Sequence, residues 1–248
     1  MIYFYLSLCK DFKNYYLYYL GNKYKEYFCL PSYSRIIQLW TRMLLQLAVL
    51  MHYLKGEETG IYYIDSTKLA ICHNKRTSSN RVFNRISKIS KSRYGWFLGF
   101  KLHLIINNKG EIMSVKITKG NKSYLSVASV ISKDLSGKLF GDKAYISKEL
   151  FHQLLSNGLR LFTNLRKDMK TYLLDIEDKL LLNKRSLIES VFNVLKKHMH
   201  LENTRHPSPL NFFVHIIASL ASYSISKLNP NLISSFCFFT QLILIWRF

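Results

Sequence analysis

Residues 96–118 carry two apolar alternations on either side of a turn. Phe100, Leu102, Leu104 and Ile106 occupy every second position, and Met113, Val115 and Ile117 do the same beyond Asn107-Asn108-Lys109-Gly110. A period of two places such side chains on one face of an extended strand. An Asn/Gly turn between two such strands folds them into a β-hairpin.

Other segments read as elements around that hairpin. Ile61-Tyr62-Tyr63-Ile64 is a β-branched and aromatic run, predicting a short buried strand that ends at Asp65. Residues 124–135 read as a helix, and Lys138-Leu139-Phe140-Gly141 as a second short strand leading into Asp142. Ser147 can cap a helix over 148–157 and Gly158 can close it. Residues 159–163 are strand-like, and a more polar stretch runs to Asn183. In 184–200, Leu187, Ile188, Val191, Phe192, Leu195 and Met199 recur at helical spacing. Strand, hairpin, helix, strand, helix, strand, helix is the order of a mixed α/β sheet with flanking helices.

Residues 1–60 read as helical, because the apolar run through Leu54 has neither alternation nor Gly or Pro, and Lys55-Gly56-Glu57-Glu58-Thr59-Gly60 punctuates its end. This region is either a small DNA-binding module or a helical cap on the sheet-forming region; no helix-turn-helix signature decides between them. The expected division is therefore 1–60 helical, 61–228 the mixed α/β domain and 229–248 an apolar tail.

The net charge is +21, from 36 Lys and Arg against 15 Asp and Glu. Such an excess suits a polyanion, either nucleic acid or an anionic membrane surface. Cys9, Cys29, Cys72 and Cys237 form no C-x-x-C pair, which disfavours a zinc ribbon and fits reduced thiols in a cytoplasmic protein. His198 and His200 lack a matching pair of ligands and read as solvated or DNA-facing. Residues 206–226 and 228–246 carry no Lys, Arg, Asp or Glu, and each approaches the about 20 apolar residues of a membrane helix. Pro207, Pro209, Asn211 and His215 argue that the first is a buried helix of a core instead, so no membrane partner is expected.

Acidic residues are scarce enough for their placement to matter. Asp65 and Asp142 each follow a predicted strand, and Glu189 lies in an amphipathic helix. Carboxylates at the C-terminal ends of sheet strands face the crevice where α/β sheets bind ligands, and a helix crossing the sheet edge can add a third. Three oxygen donors suit Mg²⁺ or Mn²⁺. A pair of ions can serve both the attacking and the leaving oxygen of a phosphodiester. Arg185 and Lys196 flank Glu189 near one helix face; they either grip DNA phosphates there or, for Arg185, make an ordinary helix ion pair.

Three motifs in this order resemble the DDE transposases of bacterial insertion sequences. Tyr63-Ile64-Asp65-Ser66-Thr67 looks like their first-aspartate segment, and Leu139-Phe140-Gly141-Asp142-Lys143-Ala144-Tyr145 like the second, with its G-D-x-x-Y pattern. Arg185-x3-Glu189-x6-Lys196 is similar to the glutamate motif, with Leu182 where that group has tyrosine. Phe100-Lys101-Leu102-His103 and Cys72-His73-Asn74-Lys75-Arg76 also resemble the group. The resemblance implies an RNase H-like catalytic domain in which Asp65, Asp142 and Glu189 hold two Mg²⁺ or Mn²⁺ ions. It further implies cleavage and strand transfer on DNA, with element ends and target DNA as partners and a homodimer at synapsis. Lys122-Ser123 replaces the acidic residues expected after Gly120-Asn121, the amino-terminal region is short, and residues 236–248 have no counterpart. The expectation is thus a truncated or decayed copy.

Residues 66–110 contain no Asp or Glu, while Lys75, Arg76, Arg81, Arg85 and Lys101 fall there among Ser, Thr and Asn. This reads as a loop following the DNA backbone. Trp96 and Phe97 could stack on an unpaired base, with core packing the expected role for at least one of them. Arg166, Lys167 and Lys170 form a smaller basic cluster. Two rival readings share these residues: an RNase H-like nuclease without strand transfer, and an inactive DNA-binding remnant.

Overall fold

The computed structural model describes residues 1–248 except 8, 25, 27, 28, 93, 94, 166–173, 203–205, 207 and 229–248. The basic cluster Arg166, Lys167 and Lys170 and the apolar tail 229–248 therefore lie outside the described residues. The strands are β1 (Ile61–His73), β2 (Lys88–Ser92), β3 (Gly95–Asn107), β4 (Ile112–Lys119), β5 (Gly137–Gly141) and β6 (Leu159–Thr163). The principal helices are α1 (Ile2–Leu6), α2 (Tyr33–Trp40), α3 (Leu44–Tyr53), α4 (Tyr124–Ile131), α5 (Lys148–Ser156), α6 (Ile176–Asn183), α7 (Ser186–Lys197) and α8 (Pro209–Leu228). The chain divides into two compact units, Lys55–Asn193 and Met1–Leu54 with Val194–Phe248.

The first unit is built on a six-stranded sheet of order β2-β3-β1-β5-β6, with β4 also paired to β3. The hairpin of β3 and β4 forms, antiparallel, with Leu102 opposite Ile117 and Leu104 opposite Val115. Its turn is held by Asn107, whose Oδ1 accepts from the Lys109 and Glu111 N–H groups, and by Gly110 at φ 82°. One face of the sheet buries Tyr62, Ile64, Ile105, Leu139 and Leu161 against Val127 and Ile131 of α4 and Leu150 and Leu154 of α5. The α5 cap is the one expected: Ser147 Oγ accepts from the Leu150 N–H, and Gly158 at φ 78° ends the helix.

The structure departs from the sequence reading at three elements. β1 does not stop at Asp65 but runs 13 residues to His73, against β3. The basic segment is thus no continuous loop: β1, β2 and β3 run through it, and 74–87 is a loop between β1 and β2. Alternation of Thr67 and Leu69, both buried, with Ser66 and Lys68 carries the strand onward. β2 pairs with β3 where loop was expected, and α6 forms inside the polar stretch before Asn183.

β1 and β5 are parallel, as are β5 and β6. Gly60 and Gly137 adjust their starts. Both have positive φ, 73° and 116°, and a Cβ on Gly137 would stand 2.3 Å from the Gly60 carbonyl oxygen. That oxygen accepts from the Lys138 N–H at 2.8 Å. Only glycine permits both the backbone angle and the approach.

The helical unit is assembled around α8, which packs on α3 and α1. α8 is long and apolar enough to cross a membrane, yet 67% of its most apolar window is buried in the fold, as a core helix requires. Inside the unit His215 Nδ1 pairs with the Tyr5 hydroxyl at 2.8 Å and His215 Nε2 with the His200 carbonyl at 2.9 Å. His200 itself stacks on Phe4, so it is a packing residue and not a solvated one.

Candidate active site

The β1–β5 register decides where the two aspartates stand. Tyr63 pairs with Phe140, so two residues further along each chain Asp65 and Asp142 come level on adjoining strands. Asp65 stays within β1, its side chain 25% exposed, and Oδ1 accepts from the Ser66 N–H at 2.7 Å. Asp142 lies just beyond β5 and caps the short turn Lys143–Tyr145, accepting from the Lys143 N–H at 2.7 Å. Glu189 is in the first turn of α7, with its side chain 56% exposed.

Arg185 joins the helix to the sheet. Its Nη2 lies 2.9 Å from Glu189 Oε1 and its Nη1 lies 3.7 Å from Asp65 Oδ2. The ordinary i,i+4 pair is therefore present, and the same guanidinium also reaches a strand distant in sequence. Burial pushes the Asp65 carboxyl up to about 6. The charges of Asp142 and Glu189 add to that rise, while the Ser66 N–H and Arg185 oppose it. Asp65 thus feels both other carboxylates.

The Tyr145 ring lies over Gly141: a Cβ there would stand 3.2 Å from Tyr145 Cδ2 and 3.0 Å from Ile64 Cγ2. Glycine before Asp142 makes room for that ring. The Tyr145 hydroxyl is buried without a hydrogen-bond partner, and burial, followed by the Asp65 charge, pushes it well above the usual phenol range. The sequence reading gave Tyr145 no role beyond its motif.

As donors, three carboxylates suit a hard divalent cation, and a half-hidden aspartate beside two others calls for a positive charge. In the present geometry, however, no three His, Cys, Asp or Glu side chains among the described residues gather into a metal-ligating group. The donor chemistry fits and the ligand shell is not closed.

The candidate DNA-binding cations fall into two sets. Lys75 and Arg76 occupy the 3₁₀ turn after β1, Arg81 and Arg85 follow in the same loop, and all four are exposed. The loop is anchored by buried Phe83, whose N–H donates to Asn80 Oδ1 and whose carbonyl accepts from Ser87. The exposed Trp96 lies near Lys91, while Phe97 is buried, as expected of one of the pair. The other set is engaged. Lys101 donates to the Lys122 carbonyl at 3.2 Å and lies over the Tyr124 ring, Arg185 bridges the carboxylates, and Lys196 pairs with Glu202 at 2.8 Å.

An antiparallel β4-β3-β1 half continued by parallel β5 and β6, with aspartates level on β1 and just beyond β5 and a glutamate-bearing helix tied to them, is an RNase H-like arrangement. Residues 55–209 match the family described as Transposase DDE domain, and the chain belongs to that family. A solved structure of piggyBac transposase, as a synaptic complex with hairpin DNA, is similar at TM-score 0.50 and 10% identity over 81% of this chain and 54% of that one. At that identity the likeness is one of fold. A simian T-cell lymphotropic virus intasome, in complex with the PP2A regulatory subunit B56 gamma, overlaps 71% of this chain and 51% of that one at 18% identity and TM-score 0.39. The chain spans about half the length of the solved chains it matches. No curated protein matches it.

Proposed function

We propose that this chain cuts and joins DNA as the transposase of an insertion sequence, with Asp65, Asp142 and Glu189 as its catalytic carboxylates. The observation that carries this reading is the alignment of Asp65 with Asp142 across the β1–β5 register, with Glu189 tied back to Asp65 through Arg185. These three carboxylates would hold Mg²⁺ or Mn²⁺, which would supply Lewis acidity to the attacking and leaving oxygens of a phosphodiester. The strands fix the two aspartates, and burial of Asp65 limits the screening of its charge by water. Lys75, Arg76, Arg81 and Arg85 track the phosphate backbone from their loop, and Lys101, Arg185 and Lys196 serve nearer phosphates once released from their present partners. Element ends and target DNA are the partners, brought together by a homodimer in the cytoplasm.

Asp65→Asn tests the assignment, because it removes an oxygen ligand and its charge without adding bulk. The expected result is loss of Mg²⁺-dependent strand cleavage with DNA affinity kept within about threefold. A folded Asp65→Asn protein nicking DNA at the wild-type rate would end the assignment. Following joined as well as cut products separates a transposase from a nuclease of the same fold.

A second reading, an inactive DNA-binding remnant, is favoured by Lys122-Ser123 standing after Gly120-Asn121 where the family resemblance calls for acidic residues. Mg²⁺ titration separates the two: binding to DNA with no cleavage at any metal concentration supports the remnant.

A further inference from the structure

The carboxylate site already contains a cation, and it belongs to the protein. The Arg185 guanidinium uses Nη1 toward Asp65 Oδ2 at 3.7 Å and Nη2 toward Glu189 Oε1 at 2.9 Å. Two different nitrogens of one rigid plane thus span carboxylates from β1 and α7. The Arg185 side chain is only 18% exposed, so it is held inside the site and does not wave over it. It springs from the joint between α6 and α7, where the Arg185 N–H donates to the Leu182 carbonyl and the Ile188 N–H to the Arg185 carbonyl. Its backbone is therefore anchored, and a change of partner has to come from the long side chain alone.

A guanidinium and a divalent ion cannot share these oxygens cheaply. Both are positive, and both satisfy the same lone pairs. Without either, half-hidden Asp65 would sit beside Asp142 and Glu189 with the Ser66 N–H as its remaining compensation.

We propose that Arg185 is an exchangeable counter-ion. Its guanidinium holds Asp65 and Glu189 together in the metal-free protein, and a divalent cation taken up by the carboxylates displaces it toward a DNA phosphate. This rests on the reading of Asp65, Asp142 and Glu189 as metal ligands. It makes Arg185 a positioning residue that couples metal uptake to phosphate binding, and such coupling acts equally in both directions.

The test is Mn²⁺ binding by the whole chain without DNA, measured by titration calorimetry and by electron paramagnetic resonance. Arg185→Gln removes the competing charge while keeping an amide to bond Glu189, and should tighten Mn²⁺ binding roughly tenfold. Arg185→Lys, which keeps the charge, should stay near wild type. A purely structural arginine would give equal or weaker Mn²⁺ binding in Arg185→Gln, and that result overturns the exchange. Should Arg185→Gln fail to fold, the wild-type arginine side-chain ¹⁵N spectrum decides. An Arg185 signal that moves on Mg²⁺ saturation supports exchange, and one that stays in place overturns it. Asp65→Asn and Asp142→Asn separate the two layers. Loss of Mn²⁺ binding there, with Arg185→Gln unchanged, ends only the exchange; undiminished binding there ends the ligand assignment itself.

Discussion

His103 and Ser66 are cross-strand partners on β3 and β1, one position from Asp65, and the imidazole shows how the sheet treats ionisable groups. Its Nε2 pairs with Thr118 Oγ1 at 2.9 Å, and its Nδ1 is buried without a partner. Burial, helped by the charges of Lys101 and Lys116, pushes His103 down to about 4. In the helical unit burial pushes His215 down to about 3, with His206 adding to the effect. Both are neutral when folded and take up a proton on unfolding once the pH falls below their ordinary value. The stability these two histidines contribute is thus full above about pH 6.5 and lost as pH falls toward 4, against an opposing gain as Asp65, raised to about 6, takes up its proton in the folded protein. For His103 alone the loss by pH 5 is about 2 kcal/mol. Thermal melts from pH 7 to pH 4.5 should show wild type losing more stability than His103→Gln, which can keep the Thr118 bond but has no proton to take up. An unchanged slope in His103→Gln would mean that other groups govern acid sensitivity.

At the scale of elements the register of β1 on β5 carries the site. It depends on the Gly60–Gly137 approach, where a side chain has no room and the backbone angle is hostile to one. Gly137→Ala should destabilise the protein by roughly 2–3 kcal/mol, read from the urea midpoint. Because the substituted residue starts the strand that leads into Asp142, the same variant should lose cleavage at temperatures where it remains folded. A fully active Gly137→Ala protein would show that the register has slack. The Gly99 position makes a parallel demand: its Cβ would stand 2.2 Å from the Leu69 carbonyl oxygen, beside the irregularity between Ala70 and Cys72 in β1.

For the whole molecule the dominant quantity is the charge of +21. If DNA is held by its backbone, affinity falls linearly with salt on logarithmic axes, and each lost phosphate contact lowers the slope by about one. Lys75→Ala with Arg76→Ala should reduce that slope by about two, with little change in thermal stability, since both side chains are exposed. Fluorescence anisotropy across a series of salt concentrations would measure it. A slope equal to wild type would remove the 74–87 loop from the interface.

The hairpin, the strand before Asp142, the Ser147-capped helix and the amphipathic helix of Glu189 were legible in the amino-acid sequence, because each is written in a local period of two or 3.6 residues or in a cap. The run of β1 past Asp65 was signalled by Thr67 and Leu69, but Ser66, Lys68 and the surrounding basic residues mask an alternation that strong core residues would have made plain. β2 has few apolar residues and exists because β3 offers it an edge. Long-range pairing decided the remainder: which strands adjoin, that Asp65 stands level with Asp142, and that Lys101 and Lys196 are already engaged. The bridge from Arg185 to Asp65 joins residues far apart in the chain, and no local periodicity encodes a contact whose energy arises only when burial brings two charges together.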